Sequence, residues 1–142
     1  WTGIRQRYWI DKNEDAISLT VHACQQVLEQ QGLLIDDIDL VICSTTSPMS
    51  MTPSMACRIL NGLSTGKETL IQAYDISAAC SGYLYALQSG YDFLQSTPHG
   101  RVLVTTAEIL SPLLDLNDLN YRPRVKMAAH YLYRFATLGS SS

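Results

Sequence analysis

The sequence predicts an α/β fold: a mostly parallel sheet covered by helices on both faces. Three observations support this. Residues 40–43 and 70–74 are apolar stretches of strand length, the first reading as a strand buried on both faces, and residues 101–105 read as a further strand. The stretches between them repeat their apolar residues at helical spacing. Turn formers such as Gly32, Gly62 and Pro98-His99-Gly100 fall at the junctions. Strand and helix alternation of this kind gives a layered parallel sheet.

The elements follow in order. Asn13 can cap a helix over about residues 14–31, with Ala16, Leu19, Ala23, Val27 and Leu28 as its apolar stripe and Gly32 as its stop. His22 lies on this helix as a surface or boundary residue. The acidic turn Asp36-Asp37-Ile38-Asp39 leads into the strand at 40–43. Pro53 suits the first turn of a second helix ending near Gly62. The strand at 70–74 then gives way to a helix from about Cys80 to Gln95. On it Tyr83, Leu84, Leu87, Tyr91 and Leu94 recur at helical spacing and read as core and interface packing. After the Pro98-His99-Gly100 turn, which places His99 in solvent, residues 101–105 form the next strand.

Composition narrows the function classes. The chain has 142 residues, 46% of them hydrophobic, enough to fill a core. With 16% charged residues and a formal net charge of −3, it offers no electrostatic case for nucleic acid. No apolar run reaches membrane-span length, and no signal-peptide pattern opens the sequence. The four cysteines lie far apart with no C-x-x-C pair, so neither a metal site nor a disulfide framework is expected. Cys24, Cys43 and Cys57 read as reduced core residues, which suits a cytoplasmic protein. Charge is uneven: residues 121–142 hold four basic and no acidic residues, while residues 1–120 hold all 13 acidic ones.

Cys80 is the candidate nucleophile. It sits where a strand gives way to a helix, and the free amides and positive dipole end of a helix N-terminus stabilise a thiolate. Ala78, Ala79, Ser81 and Gly82 leave room for a carbonyl to approach the sulfur, with backbone amides near enough to hold an oxyanion. The plain alternative is a buried cysteine at a strand–helix junction.

Asp75-Ile-Ser-Ala-Ala-Cys80-Ser-Gly82 resembles the nucleophile motif of the thiolase superfamily, in particular its β-ketoacyl-acyl carrier protein synthase III branch. Three other stretches resemble that branch in the same order. They are Thr2-Gly-Ile-Arg5-Gln-Arg7, then Ser44-Thr-Thr-Ser47 with Pro53-Ser-Met-Ala-Cys57, and Val102-Leu-Val-Thr-Thr-Ala107-Glu108. The resemblance covers about residues 2–120. It implies a thiolase-like fold of two similar halves, of which residues 1–120 form an incomplete first half. The family's first strand and the antiparallel strand that follows are then expected to be missing. Residues 121–142 form a divergent basic tail, for which an altered reading frame, an added segment or a natural divergent terminus all serve. In the family a Gly-Asp-Gly-like turn follows the Asp115–Asp118 segment; here Tyr121-Arg-Pro-Arg-Val-Lys-Met127 stands instead.

The resemblance also implies a reaction. Cys80 attacks an acyl thioester, carried on coenzyme A or acyl carrier protein, and holds the acyl group covalently. Decarboxylation of malonyl-acyl carrier protein then supplies a carbanion that attacks the acyl-cysteine, in fatty acid or polyketide synthesis. The histidine and asparagine that assist this step in the family come from its second half, and His22, His99 and His130 fall in the wrong contexts to replace them. The 142-residue chain is therefore expected to be inactive alone. No permanently bound cofactor is implied; the partners are acyl carrier protein and a second copy of the chain, with no nucleic acid or membrane. Thr52, just before Pro53-Ser54, takes the place of a residue that reaches the partner's acyl pocket in the family. Arg5 is a candidate phosphate or cofactor contact, with ordinary surface pairing as the equal alternative. Trp1 and Leu119 stand where the family commonly carries coenzyme A-contacting arginines, which leaves an acyl carrier protein donor open. Two other readings remain: a cysteine-dependent acyltransferase to an alcohol or amine, and a non-catalytic truncated remnant.

Overall fold

The computed structural model describes residues 9–11 and 13–110, and residues 135–139 as a strand of backbone. Helix α1 (Ala16–Gln31) begins at Asp15, not at Asn13. Glu14 N–H donates to Asp11 O, a turn that keeps Asn13 outside the helix. Asp15 has extended backbone angles, and its carboxylate accepts from Ser18 N–H at 2.7 Å while Ser18 Oγ accepts from Asp15 N–H, a reciprocal cap. At the other end Gly32 sits at φ 64°, and the amides of Gly32 and Leu33 turn back onto Glu29 and Leu28. The buried stripe is Ala16, Thr20, Cys24 and Leu28, one position round from the expected one. Leu19, Ala23 and Val27 flank it half-buried. Thr20 can enter the core because its hydroxyl donates to Ala16 O at 2.6 Å.

Strand β1 (Leu40–Ser44) is buried throughout, as a central strand should be. Helix α2 (Met55–Leu63) starts two residues later than Pro53 suggests, with Ser54 as cap and Pro53 outside the helix. Strand β2 is Gln72–Ile76, two residues past the expected run. Its register is set by β1, Leu40 pairing with Gln72 and Ser44 with Ile76, and Leu70 is left fully exposed. A single 3-10 turn (Ala79–Ser81) precedes helix α3 (Gly82–Ser96), and strand β3 (Arg101–Thr106) follows.

The sheet order is β2-β1-β3-β4, with β2 and β3 both parallel to β1. Strand β4 (Phe135–Gly139) pairs antiparallel with β3. The expected lack of a following antiparallel strand therefore does not hold: the basic tail supplies one, and it pairs backbone groups that β3 would otherwise present at an edge. Alternation along the strands divides the core. Val41, Cys43 and Leu103 pack with α1 and α2 through Cys24, Met55, Ile59 and Leu60. Leu40, Ile42, Val102 and Val104 pack beneath α3 through Ala86, with Tyr83, Leu87 and Phe93 around it. Each such aliphatic side chain contributes roughly 1.5–3 kcal/mol on burial.

The crossover β1–α2–β2 runs on one face and β2–α3–β3 on the other, in opposite lateral directions, which puts the switch point of the sheet between β1 and β3. In open α/β sheets the crevice at such a reversal, beyond the carboxyl ends of the strands, is where ligands bind. Asp75, near the end of β2, fastens this region. Its two oxygens accept from Met55 N–H and Ala56 N–H, both at 2.7 Å, and Ser54 Oγ accepts from Cys57 N–H at 3.2 Å. Three amides of the first turn of α2 are thereby satisfied, and a carboxylate faces the positive helix end.

Asp75→Ala should lower stability by about 2–3 kcal/mol, because two amides lose a charged acceptor. Asp75→Asn, which keeps one acceptor oxygen, should lose about half of that. Urea denaturation reads both; an Ala variant with an unchanged midpoint would show that the cap does not hold the fold.

Candidate functional site

The turn after β2 carries Cys80. Ala78 has φ −143° and ψ 35°, and Ala79 follows at φ 47°, in the left-handed region that favours glycine. A non-glycine residue there costs on the order of 1–3 kcal/mol and persists only where its surroundings impose it. Ser81 N–H closes the turn on Ala78 O at 3.1 Å, and Gly82 N–H on Ala79 O. Cys80 is therefore lifted out of β2 and exposed just before α3, whereas the expected helix began at Cys80 itself. The plain reading of Cys80 as a buried core cysteine does not hold.

The three helix starts differ. Asp15 caps α1, and Asp75 with Ser54 caps α2. At α3 the cap residue Ser81 makes no side-chain hydrogen bond, and no acidic residue lies in the first turn. The positive end of α3 is left facing the Cys80 turn with no side-chain acceptor among the described residues, the arrangement in which an incoming anion or oxyanion is stabilised. Gly82 allows the close approach this requires: a Cβ there would collide with Ser44 Oγ at the end of β1.

The four thiols fall into two pairs. Cys24 and Cys43 are buried in the layer between α1 and the sheet, while Cys57 and Cys80 are exposed. Burial pushes the Cys24 thiol up to about 12, against a smaller lowering from the nearby Thr105 hydroxyl. The Thr105 hydroxyl is itself buried with no hydrogen-bond partner. Cys43 is raised too, by burial first and then by the charge of Asp75 and the neighbouring Cys24 and Glu108. Cys57 departs from its expected core position: it faces outward on α2, its Sγ 3.7 Å from Ala73 O.

The other candidates are placed as follows. Thr52 is exposed, in the loop before α2, joined to Pro53 by a cis peptide bond. Of the nearby methionines, Met49 and Met51 are exposed and Met55 is fully buried. His22 is exposed on α1, its Nε2 3.2 Å from Gln26 Nε2, and His99 is exposed in its turn. Arg5, Trp1, Leu119 and His130 lie outside the described residues. Among the described residues no group of three or more His, Cys, Asp or Glu could hold a metal ion, and no helix is long and apolar enough to cross a membrane. Sequence reasoning missed the work of Asp75 and Glu108. Both sit at strand ends inside quoted motifs, but their partners lie 19 and more residues away.

Residues 74–125 match the sequence profile of 3-oxoacyl-[acyl-carrier-protein] synthase III. The chain is 39% identical over 117 residues to a β-ketoacyl-[acyl-carrier-protein] synthase III of Clostridium perfringens, covering 82% of this chain and 35% of that protein. Its fold is similar to 3-oxoacyl-[acyl-carrier-protein] synthase III from Aquifex aeolicus VF5, with a TM-score of 0.74 at 35% identity, over 84% of this chain and 37% of the other. The priming β-ketosynthase of the R1128 polyketide pathway gives a TM-score of 0.75 at 31% identity, over 85% and 35% of the two chains. The chain thus spans about a third of the length of these relatives.

Iodoacetamide at neutral pH should label Cys80 and Cys57 in the folded chain and spare Cys24 and Cys43, with Cys80 the faster of the exposed pair. Peptide mapping by mass spectrometry decides it, and faster labelling of Cys57 would remove Cys80 as the reactive thiol. The buried thiols also predict a pH dependence. Their ionisation is raised in the fold, so the unfolded chain releases these protons first, from about pH 8.5 upward. Stability should be intact below that pH and fall above it toward about 12, where Cys24 ionises in the fold. The slope is about 1.4 kcal/mol per pH unit for each thiol. Urea midpoints from pH 7 to 10 should show a shallower fall in Cys24→Ala; an identical slope would mean Cys24 is not the group.

Proposed function

We propose, for a chain that is β-ketoacyl-[acyl-carrier-protein] synthase III-like and thiolase-like in fold, that Cys80 is the nucleophile of acyl transfer from a thioester. The observation that carries this is the turn: an exposed cysteine held after a left-handed Ala79 at a helix start that no side chain caps. The Cys80 sulfur forms a bond to the thioester carbonyl carbon, the tetrahedral oxyanion draws on backbone amides at the start of α3, and its collapse breaks the carbon–sulfur bond to the carrier, whose thiol leaves with the proton that Cys80 gave up. The acyl donor is a thioester of coenzyme A or acyl carrier protein. A decarboxylative Claisen condensation with malonyl-acyl carrier protein follows, in fatty acid or polyketide synthesis in the cytoplasm. That second step needs a histidine and an asparagine which the resemblance assigns to the second half of the fold, so acylation is the step this chain's own residues can be tested for. The protein acts as a homodimer on this reading. Its support is the edge that β2 presents among the described residues and the exposure of Tyr74, Leu84, Tyr85 and Tyr91, apolar surface that a second copy would cover. A sharp monomer peak in size-exclusion chromatography would contradict it.

Thr52 sets the acyl length in this reading, as the residue that reaches the partner's pocket. A threonine in place of a large ring leaves space for several methylenes, each worth about 0.8 kcal/mol when buried. Met55 cannot fill that space, being locked in the core; Met49 and Met51 are the side chains with freedom to do so. Incubation with acetyl- and octanoyl-coenzyme A, followed by intact-mass measurement, tests both residues together. Cys80 should gain one acyl group, with octanoyl preferred, and Cys80→Ala should gain none. Thr52→Phe should shift the preference to acetyl. Acylation that survives in Cys80→Ala would end the nucleophile assignment, and an acetyl preference unmoved by Thr52→Phe would end the pocket assignment.

A further inference from the structure

The loop after β1 is held by one carboxylate from the end of β3. Glu108 Oε1 accepts from the Thr46 amide and from Thr46 Oγ1, the latter at 2.9 Å, and Oε2 accepts from Ser47 Oγ at 2.7 Å. Ser47 Oγ in turn accepts from Ile109 N–H at 3.1 Å, and Thr45 Oγ1 accepts from Ser47 N–H at 3.1 Å. Both oxygens of Glu108 are therefore committed to two successive residues of a loop 61 and 62 positions away in sequence. Residues 46 and 47 also border an open hollow of about 710 Å³ at this end of the sheet, with Ile10, Met49 and Ile109. The two residues before them touch both sides of the nucleophile turn. Thr45 N–H donates to Ile76 O, the last residue of β2, at 3.1 Å. The Ser44 side chain lies against Gly82, the first residue of α3, so closely that no Cβ fits. Ser44 O accepts from Ala107 N–H at 3.1 Å, closing the circuit back to Glu108.

We propose that Glu108 is a positioning residue for Cys80, acting through residues 44–47. The strained Ala79 needs its neighbours to impose it, and the groups that fix the chain just before and just after the turn are Thr45 and Ser44. Glu108 fixes those by anchoring the next two residues. A charged acceptor shared by an amide and two hydroxyls is strong and directional. Its loss would free the loop, loosen the hold on Ile76 and Gly82, and let Cys80 drift from the start of α3. The inference rests on Cys80 being the reactive thiol, and it deepens that reading.

The test compares Glu108→Ala and Glu108→Gln with the parent chain, in two reactions at Cys80: acetylation by acetyl-coenzyme A and alkylation by iodoacetamide. Cys57 serves as the exposed reference, and Cys24 and Cys43 report on unfolding. Glu108→Ala should slow both reactions at Cys80 by about tenfold or more, the scale on which misplaced reacting groups lose rate, with Cys57 unchanged and the buried thiols protected. Glu108→Gln, which keeps one acceptor oxygen, should fall between. Unchanged rates at Cys80 overturn the proposal. Labelling of Cys24 and Cys43 in the Ala variant would mean that it unfolds, and the Gln variant then decides: folded and at parental rate, it overturns the proposal; folded and slowed, it upholds it. If the parent chain alkylates at Cys80 but never acetylates, the acyl-transfer reading fails, while selective slowing of alkylation in the variants still upholds positioning by Glu108.

Discussion

The Asp75 carboxylate joins the strand that leads to Cys80 to the helix that begins just after Thr52. Its two bonds to the amides of Met55 and Ala56 fix the distance between the end of β2 and the start of α2. Because β2 pairs only with β1 among the described residues, that tie supplies the restraint a second neighbouring strand would otherwise give. The helix benefits as well. Satisfied end amides and a carboxylate at its positive end let nine residues hold helical form, a length at which isolated helices are marginal.

Left-handed backbone and capping are distributed in a way that serves chemistry. Where a helix end needs only to be stable, it has a carboxylate: Asp15 for α1, Asp75 for α2. Where the helix end adjoins Cys80, its described surroundings offer no side-chain acceptor, and the preceding turn holds an alanine at positive φ. Both features lower stability locally, and the packed sheet beneath compensates for them. The fully buried Leu40, Ile42, Val102 and Val104 hold β1 and β3 as a rigid floor, and Gly82 brings α3 close enough for that floor to set the turn.

Much of this was legible in the sequence, and the exceptions share a cause. Buried apolar runs identified β1 and β3 nearly to the residue, because a strand packed on both faces carries no competing signal. The start of β2 was misplaced by two residues, since Leu70 is apolar yet exposed, and pairing with Leu40 decides where the strand begins. The cap of α1 moved from Asn13 to Asp15 because a turn closed by Asp11 and Glu14 claimed the earlier residues. Cys57 read as core but faces outward, and Thr20, outside the expected stripe, is buried with its hydroxyl satisfied within its own helix. Cys80 stood out as a candidate from its small neighbours and the motif around it, and the structure places it exposed in the turn before α3. The carboxylates that organise its surroundings did not, because hydrogen bonds spanning 60 residues leave no periodic trace.

The sheet order gives these local facts their direction. A parallel strand pair sends both carboxyl ends the same way, so the ends of β1, β2 and β3 converge on one rim of the sheet. The residues that follow the three strands there are Thr45 to Ser47, Ser77 to Cys80, and Ala107 to Ile109. Loops on such a rim are free of the strand ladder and would wander unless something else fixed them. Here the fixing groups are two acidic side chains at the ends of the two strands flanking β1, Asp75 turned to α2 and Glu108 to the β1 loop. Antiparallel β4 on the far side of β3 runs its own end away from the rim. Its start, Phe135 opposite Thr105, lies on the rim beyond β3, with β1 standing between β3 and the strand that leads to Cys80.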